Sequence, residues 1–291
     1  MRDPLERLQR IDRKRERLRL TLKKKPTMTH RPRKRFSQNF LVDQTVIHDI
    51  VNAVSPTSGD AMVEIGPGLG AITRALANVV RPLHVIEIDR DIVERLRAEF
   101  LPDQLVIHQG DVLQFDLATL GPQLRVVGNL PYHISSPILF HLAASAHALR
   151  DIHVMLQSEV VDRLTAAPTT SEYGRMSVML QYHFDIEKVL GVSATAFRPE
   201  PKVESAVIRM TPRQGAWRRA LNQDLLAQTV ALAFSQRRKT LRNTLGRVLS
   251  DADFHALSVN PQARAQTLAV EEFVRIADYR ALGQQRTKDA C

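Results

Sequence analysis

The segment Asn129-Leu130-Pro131-Tyr132 combines groups that can act on the amino group of a nucleobase. The amide oxygen of Asn129 and the carbonyl of Leu130 can each accept one hydrogen of an exocyclic amine, such as N6 of adenine. Two such acceptors would hold this poor nucleophile towards a tetrahedral geometry. Pro131 restricts the turn, and the ring of Tyr132 can stack on a base that has left its helix. An ordinary Asx-Pro turn would show the same four residues, so the elements around it must decide.

A glycine-rich turn precedes this segment in the chain. Residues 61–65 form a short apolar run that predicts a buried strand, and residues 71–77 predict a helix. Between them, Gly66, Gly68 and Gly70 permit a tight turn and let a ligand approach the backbone. The strand, turn and helix are typical of a nucleotide-binding unit.

Three further strands are predicted to end near this turn. Residues 83–87 end in Glu87, whose carboxylate can accept hydrogen bonds from both hydroxyls of a ribose. Residues 105–108 lead to Asp111, which can accept from an adenine amino group, and residues 124–128 deliver Asn129. The four strand ends converge on one crevice, which is where open α/β sheets bind ligands.

The glycine spacing alone does not separate a nicotinamide-dependent dehydrogenase from a methyltransferase. Hydride transfer has no need for an Asn-Leu-Pro-Tyr turn, and no second dinucleotide-binding half is evident after residue 132. The combination therefore favours S-adenosylmethionine as cofactor. Its sulfonium is already activated, so we expect neither a metal ion nor a strong general base.

The chain resembles the ribosomal RNA adenine N6,N6-dimethyltransferases from about Arg31 to its end. It is most similar to the small-subunit branch, on the basis of residues 155–160 and 173–178. The motifs that carry the resemblance are Arg-Phe-Ser-Gln-Asn-Phe-Leu at 35–41, the glycine turn at 64–70, Val-Ile-Glu-Ile-Asp at 85–89, Gly-Asp at 110–111, Asn-Leu-Pro-Tyr at 129–132 and Phe-Arg-Pro-Glu-Pro-Lys-Val-Glu-Ser at 197–205.

The resemblance implies a fold, a site and a substrate. The fold is an α/β, Rossmann-like methyltransferase sheet with a small C-terminal all-helical domain. Tyr132 and Phe197 would sandwich a flipped adenine, with Pro199 and Pro201 stiffening the loop that follows. The substrate would be two adjacent adenosines near the 3′ end of small-subunit ribosomal RNA, each methylated twice in the immature subunit. The donor site would be lined by Asn39, Leu41, Gly66, Glu87, Asp111 and Asn129.

Some interpretations stay open at this point. A large-subunit adenine methyltransferase of the macrolide-resistance type would share every catalytic residue. A ribosome-assembly factor with incidental catalysis is the alternative from another class. Glu64 either bonds to backbone groups beside the turn or contacts the amino-acid end of the donor.

The net charge of +10 is concentrated at the N-terminus. Residues 1–35 hold 15 Lys and Arg against four Asp and Glu, whereas the whole chain holds 41 against 31. The remainder is therefore close to neutral. Residues 1–30 are predicted to be a basic extension with a polyanionic partner, and residues 1–27 are alternatively an upstream extension preceding a start at Met28.

The C-terminal part changes from strand-like alternation to helical patterns after Pro212. We therefore expect a methyltransferase domain over residues 31–212 and a helical RNA-binding domain over residues 213–291. Helices are predicted over residues 221–234, 239–249 and 270–282. A dense basic stretch joins two of them, with Leu241 and Leu245 facing inward. Its predicted RNA contacts are Arg237, Arg238, Lys239 and Arg242.

Composition sets further limits. Cys291 is the single cysteine, so a disulfide within the chain and a thiolate zinc cluster are excluded. No run of eighteen apolar residues and no apolar signal core is present. We expect a cytoplasmic monomer without membrane contact.

Overall fold

A computed structural model describes residues 39–213 and 219–289 of the chain. Its centre is a seven-stranded sheet with the spatial order β4-β3-β2-β5-β6-β9-β7. The strands are β2 (Met62–Ile65), β3 (Leu83–Glu87), β4 (Leu105–Gln109), β5 (Leu124–Asn129), β6 (Leu149–Gln157), β7 (Phe184–Val192) and β9 (Ser205–Pro212).

Six strands of this sheet run in one direction, and β9 runs against them. β2 pairs in parallel with β3 and β5, and the parallel pairing extends to β4 and β6 at either side. β9 pairs antiparallel with β6 and with β7. Ile65 lies in register with Ile86 and Gly128, so the carboxyl ends of β2, β3 and β5 meet at one edge. The predicted α/β class with a mostly parallel sheet is confirmed.

Helices cover both faces of the sheet, which explains why its central strands are continuous apolar runs. All four residues of β2 are buried. Neighbouring residues of β5 point to opposite faces, so Val126 and Val127 belong to two different hydrophobic clusters. The α-helices among residues 39–183 are α1 (Gln44–Val54), α2 (Ala71–Leu76), α3 (Arg90–Glu99), α4 (Ser135–Ala144), α5 (Ser158–Thr165) and α6 (Arg175–His183).

A separate two-stranded ribbon joins two distant parts of the chain. β1 (Phe40–Leu41) pairs antiparallel with β8 (Phe197–Arg198), and Leu41 lies opposite Phe197. The amide of Val42 extends the contact by donating to the carbonyl of Ala196 at 2.9 Å. The ribbon thereby places the residues before α1 beside the loop that leads into β9.

The described residues after β9 are helical, as predicted. The helices are α7 (Gln223–Ala233), α8 (Leu241–Leu245), α9 (Asp251–Ala256) and α10 (Val270–Asp289). Within the described residues, no helix is both long and apolar enough to span a membrane.

The core of these helices includes residues from before Pro212. Val178, Tyr173 and Tyr182 belong to the same hydrophobic cluster as Leu241 and Leu245. The Tyr173 hydroxyl donates to the carbonyl of Leu268 at 3.0 Å, and the Tyr182 hydroxyl accepts from the amide of Ala220 at 2.9 Å. The strands end at residue 212, but the helical core begins with α6 and the turn before it.

Candidate active site

A cavity of about 260 Å³ lies at the carboxyl edge of the parallel strands. It is bounded by the ends of β2, β3 and β5, by the loop after β4, and by β1 above the glycine turn. The six residues predicted for the donor site all line it, namely Asn39, Leu41, Gly66, Glu87, Asp111 and Asn129. The structure brings these residues together, and their role as donor ligands stays a prediction.

The glycine turn at the end of β2 adopts a backbone that other residues rarely take. Gly66, Gly68 and Gly70 have φ angles of 66°, 54° and 80°. A Cβ atom at Gly68 would lie 3.2 Å from Cδ1 of Phe40, so the ring of Phe40 packs directly on the turn. The positive φ favours glycine at this position, and a Cβ would in addition crowd the Phe40 ring that forms one wall of the cavity.

Glu87 ends β3 inside the cavity and is only 7% exposed. Burial raises the pKa of its carboxyl, whereas hydrogen bonds from backbone amides, including that of Asp89 at 2.8 Å, act in the opposite direction. A carboxylate held in this way at a strand end can accept hydrogen bonds from ribose hydroxyls.

Glu64 is a second buried carboxyl in the same cavity. It is 1% exposed and accepts a hydrogen bond of 2.6 Å from the hydroxyl of Thr73 in α2. Burial is the largest cause that raises its pKa to about 7, and the negative charge of Glu87 adds to it. The hydrogen bond to the Thr73 side chain supports a structural role for Glu64. Its position in the cavity is also compatible with contact with the methyl donor.

Asp111 lines the cavity and also holds the loop after β4. Its Oδ1 accepts from the amide of Leu113 at 3.0 Å and caps the 3₁₀ helix Val112–Gln114. The side chain is therefore fixed before any ligand is present.

Asn129 is the last residue of β5, and its side chain has a defined orientation. Nδ2 donates to the carbonyl of Asn39 at 3.1 Å. Because Nδ2 is bonded to the carbonyl of Asn39, the residue before β1, Oδ1 is the atom of this amide that can accept a hydrogen bond from an amine. The next amide, that of Leu130, donates to Met155 of β6 at 3.2 Å and fixes the start of the turn.

Tyr132 also lines the cavity and begins the 3₁₀ helix Tyr132–Ile134. Its ring is half-buried, and its hydroxyl lies 2.7 Å from Oγ of Ser205. Burial raises the pKa of this hydroxyl, so it stays protonated near neutral pH.

Phe197 does not line the cavity. Its ring is 0% exposed and packs in the cluster that contains Leu41 and Val207. The reason is the pairing of β8 with β1, which covers Phe197 with Leu41 opposite it. Of the two rings expected to sandwich the base, Tyr132 therefore lines the cavity and Phe197 does not.

The four predicted RNA contacts lie on the surface, away from the cavity lining. Arg237, Arg238 and Lys239 are exposed in the turn between α7 and α8, and Arg242 is exposed in α8. Arg237 donates to the carbonyl of Ser171, and Arg242 pairs with Asp251 at 2.8 Å. Leu241 and Leu245 are buried beneath them, as predicted.

Sequence reasoning did not single out several residues that shape the cavity. Arg74 donates to the carbonyls of Leu69 and Gly70 at 2.8 and 3.0 Å and makes a two-point contact with Glu99. His133 and Ile134 contribute to the lining next to Tyr132. The position of Arg74 four residues after Gly70 was a signal that a side chain of α2 could reach back to the turn.

Comparisons with known proteins agree on one family. A profile of the family "Ribosomal RNA adenine dimethylase" matches residues 29–282. The ribosomal RNA small subunit methyltransferase A of Thiobacillus denitrificans is 52% identical over 252 residues, covering 87% of this chain and 99% of the relative. The protein of the same name from Chromobacterium violaceum is 53% identical over 251 residues, covering 86% and 96%.

Two solved structures share the architecture. A dimethyladenosine transferase from Plasmodium falciparum superposes with a TM-score of 0.69 at 23% identity, covering 81% of this chain and 95% of the other. The 23S rRNA methyltransferase ErmE superposes with a TM-score of 0.65 at 25% identity, covering 83% and 99%. The first of these likenesses establishes the fold alone.

The sheet order, the glycine turn and the carboxylate at the end of β3 define an S-adenosylmethionine-dependent methyltransferase. Within that class, the chain belongs to the ribosomal RNA adenine dimethylase family. The prediction of the family, the enzyme class and the methyl donor is confirmed.

Proposed function

We propose that the protein transfers methyl groups from S-adenosylmethionine to N6 of two adjacent adenosines near the 3′ end of small-subunit ribosomal RNA. The observation that carries this proposal is the orientation of Asn129, whose Nδ2 is bonded to Asn39 so that Oδ1 is available to an amine. The names of the curated relatives support the choice of the small subunit.

Glu87, Asp111 and Tyr132 have distinct tasks in this reaction. Glu87 holds the ribose of the donor, Asp111 accepts from the donor's adenine, and the glycine turn lets the donor approach the backbone. Tyr132 stacks on the target base. The donor supplies an activated methyl group on its sulfonium.

Asn129 and the carbonyl of Leu130 hold the target amine by accepting its two hydrogens. The amine nitrogen forms a bond to the methyl carbon while the bond from that carbon to sulfur breaks. The sulfur keeps the bonding electron pair, and one N6 proton then leaves to water. The protein contributes positioning and exclusion of water and needs no strong base.

The same pocket accepts its own monomethyl product. A monomethylated N6 retains one hydrogen and can keep one of the two acceptors, while its methyl group replaces the other hydrogen. Stacking on Tyr132 does not depend on the number of methyl groups and contributes about 1–3 kcal/mol per base. The end product is therefore N6,N6-dimethyladenosine.

The basic surface of the helical region completes the proposal. Arg237, Arg238, Lys239 and Arg242 contact the phosphate backbone of the RNA, which positions the substrate without reading its sequence. The physiological partner is the immature small ribosomal subunit, and the enzyme acts as a monomer in the cytoplasm.

Methylation assays with two substrates test the proposal. Isotope-labelled S-adenosylmethionine is incubated with undermethylated small and large ribosomal subunits in parallel, and the labelled nucleoside is mapped and analysed by mass spectrometry. We expect dimethyladenosine in the small subunit, with monomethyladenosine only at early times. Labelling of the large subunit would instead support the activity named for ErmE, and monomethyladenosine that persists at high donor concentration would contradict the double transfer.

A further inference from the structure

The hydroxyl of Tyr132 is held by a residue outside the cavity. Ser205 Oγ lies 2.7 Å from Tyr132 Oη, and Ser205 is not part of the cavity lining. The two residues are 73 positions apart in the chain. The contact therefore exists because of the fold and not because of local structure.

Ser205 has little freedom to move. It is the first residue of β9, it is 1% exposed, and its backbone lies in register with Gln157 of β6 and Val192 of β7. The preceding residue is also fixed, because the carbonyl of Glu204 accepts from the amide of Ser158 at 3.0 Å. A hydroxyl on such a frame is a rigid anchor.

Tyr132 is fixed at its other end as well. Its carbonyl accepts from the Ser135 hydroxyl at 3.1 Å, and the amide of Ile134 closes the turn on Pro131 at the same distance. With the backbone held by α4 and the hydroxyl held by β9, the ring cannot swing about its Cα–Cβ bond without breaking the contact with Ser205. The half-buried ring therefore keeps its place at the edge of the cavity.

We propose that Ser205 is a positioning residue for methyl transfer, which holds the Tyr132 ring at the position where the target adenine stacks. This inference rests on the proposed function. A correctly held base keeps its N6 between Asn129 and Leu130, whereas a tilting base spends less time in line with the methyl group. Loss of the Ser205 hydroxyl should therefore act on turnover and not on donor binding.

A double-mutant cycle tests this role. The variants are Ser205→Ala, Tyr132→Phe and their combination, each assayed on undermethylated small subunits and each compared in donor affinity by calorimetry and in melting temperature. We expect kcat to fall roughly 3- to 10-fold for each single variant, which corresponds to loss of one hydrogen bond. The double variant should be no slower than Tyr132→Phe, and donor affinity should be unchanged.

A matched control separates positioning from general structure. Ser193→Ala removes an exposed serine that bonds only locally to Thr195, and its kcat should equal that of the wild type. Equal kcat for Ser205→Ala and the wild type, or additive losses in the double variant, would overturn the proposal. Should the wild type itself fail to methylate adenosine, the proposed function would be wrong instead, so the two failures are distinguishable.

A fluorescence measurement of base stacking tests the same role in variants whose stability is reduced. Placing 2-aminopurine at the adenosine that the wild type methylates reports stacking by fluorescence quenching. Quenching should be weaker with Ser205→Ala than with Ser193→Ala at saturating protein, and equal quenching would contradict a role in holding the ring.

Discussion

At the scale of single residues, the two ends of the Asn129 amide have different partners. The nitrogen donates to Asn39, and the oxygen is left for the target amine. Glu87, in contrast, sits at a strand end where it can reach a ribose. The two residues border one cavity. Under the proposed function they would serve two different ligands, which makes their roles separable by experiment.

The first prediction concerns that separation. Glu87→Ala should weaken donor binding, since it removes charge-assisted hydrogen bonds that contribute about 1.5–3 kcal/mol each. Asn129→Ala should abolish methyl transfer while costing donor affinity only about 1 kcal/mol, through the lost contact with Asn39. Calorimetry with S-adenosylmethionine and a transfer assay measure the two effects. The reverse pattern would refute this division of roles.

The second prediction concerns pH and Glu64, whose pKa is raised from 4.5 to about 7 by burial. The folded protein then holds a proton that the unfolded chain releases, so the neutral carboxyl stabilises the fold fully below the unfolded pKa. This stabilisation is lost as the pH rises towards the folded value. The contribution of Glu64 to the free energy of unfolding of the donor-free protein should therefore fall between about pH 5 and about pH 7. His153 and His183, whose pKa values are lowered to about 4 by burial, contribute in the opposite direction, so the Glu64 contribution is read from a variant and not from the wild type alone.

The variant Glu64→Gln removes the titrating group and keeps an acceptor for Thr73. The difference in melting temperature between this variant and the wild type isolates the Glu64 contribution, and the advantage of the variant should grow between about pH 5 and about pH 7. Glu94→Gln, which alters an exposed carboxyl of α3, should leave the slope as in the wild type. A slope that is identical in all three proteins would contradict the predicted proton uptake.

At the scale of secondary structure elements, α2 and α3 support the glycine turn from outside the cavity. Arg74 of α2 bonds to two carbonyls of the turn and to Glu99 at the end of α3. The turn is built from glycines that would otherwise be free to move. An arginine bonded to these carbonyls restricts the backbone of the turn.

The third prediction follows from these hydrogen bonds. Arg74→Ala should raise the dissociation constant for S-adenosylmethionine about 5-fold, because partly exposed hydrogen bonds of this kind contribute roughly 1 kcal/mol in total. Turnover at saturating donor should change little. The control is Arg90→Ala, which breaks the exposed pair with Glu94 and leaves the turn untouched. Donor affinities that are equal in the two variants would show that these hydrogen bonds are without effect on binding.

At the scale of the whole molecule, most of the net positive charge lies outside the part of the chain that the structure describes. The positive excess belongs to residues 1–35, which lie outside the described residues. The described basic stretch between α7 and α8 is a smaller second source of positive charge. Both would contribute to RNA binding through counterion release, which does not depend on base sequence.

The fourth prediction concerns the N-terminal residues. Deleting residues 1–27 removes 11 Lys and Arg and four Asp and Glu. The affinity for small subunits should fall and its dependence on salt should become weaker, while turnover at saturating substrate stays similar. Binding measured over a range of salt concentrations tests this. A salt dependence identical to that of the full chain would mean that these residues do not contact RNA.

The sequence by itself determined the parts of this protein that depend on local pattern. Apolar runs of strand length, glycines at a turn that needs positive φ, and polar residues directly after strands identified β2, β3, β4 and β5 and the donor cavity at their ends. These features follow from strand periodicity and from the rule that parallel strands end at one edge. The predicted gathering of Glu87, Asp111 and Asn129 required no knowledge of distant contacts.

Only the tertiary structure decided which residues meet across long separations. Phe197 is buried because β8 pairs with β1, far away in sequence, and the motif alone gave no sign of that cover. Ser205 reaches Tyr132 because β9 inserts between β6 and β7. Such contacts are set by the packing of whole elements. The residue type at one position does not specify which distant residue it will contact. The physical reason is that local sequence fixes backbone preference, whereas burial and side-chain contact are properties of the assembled fold.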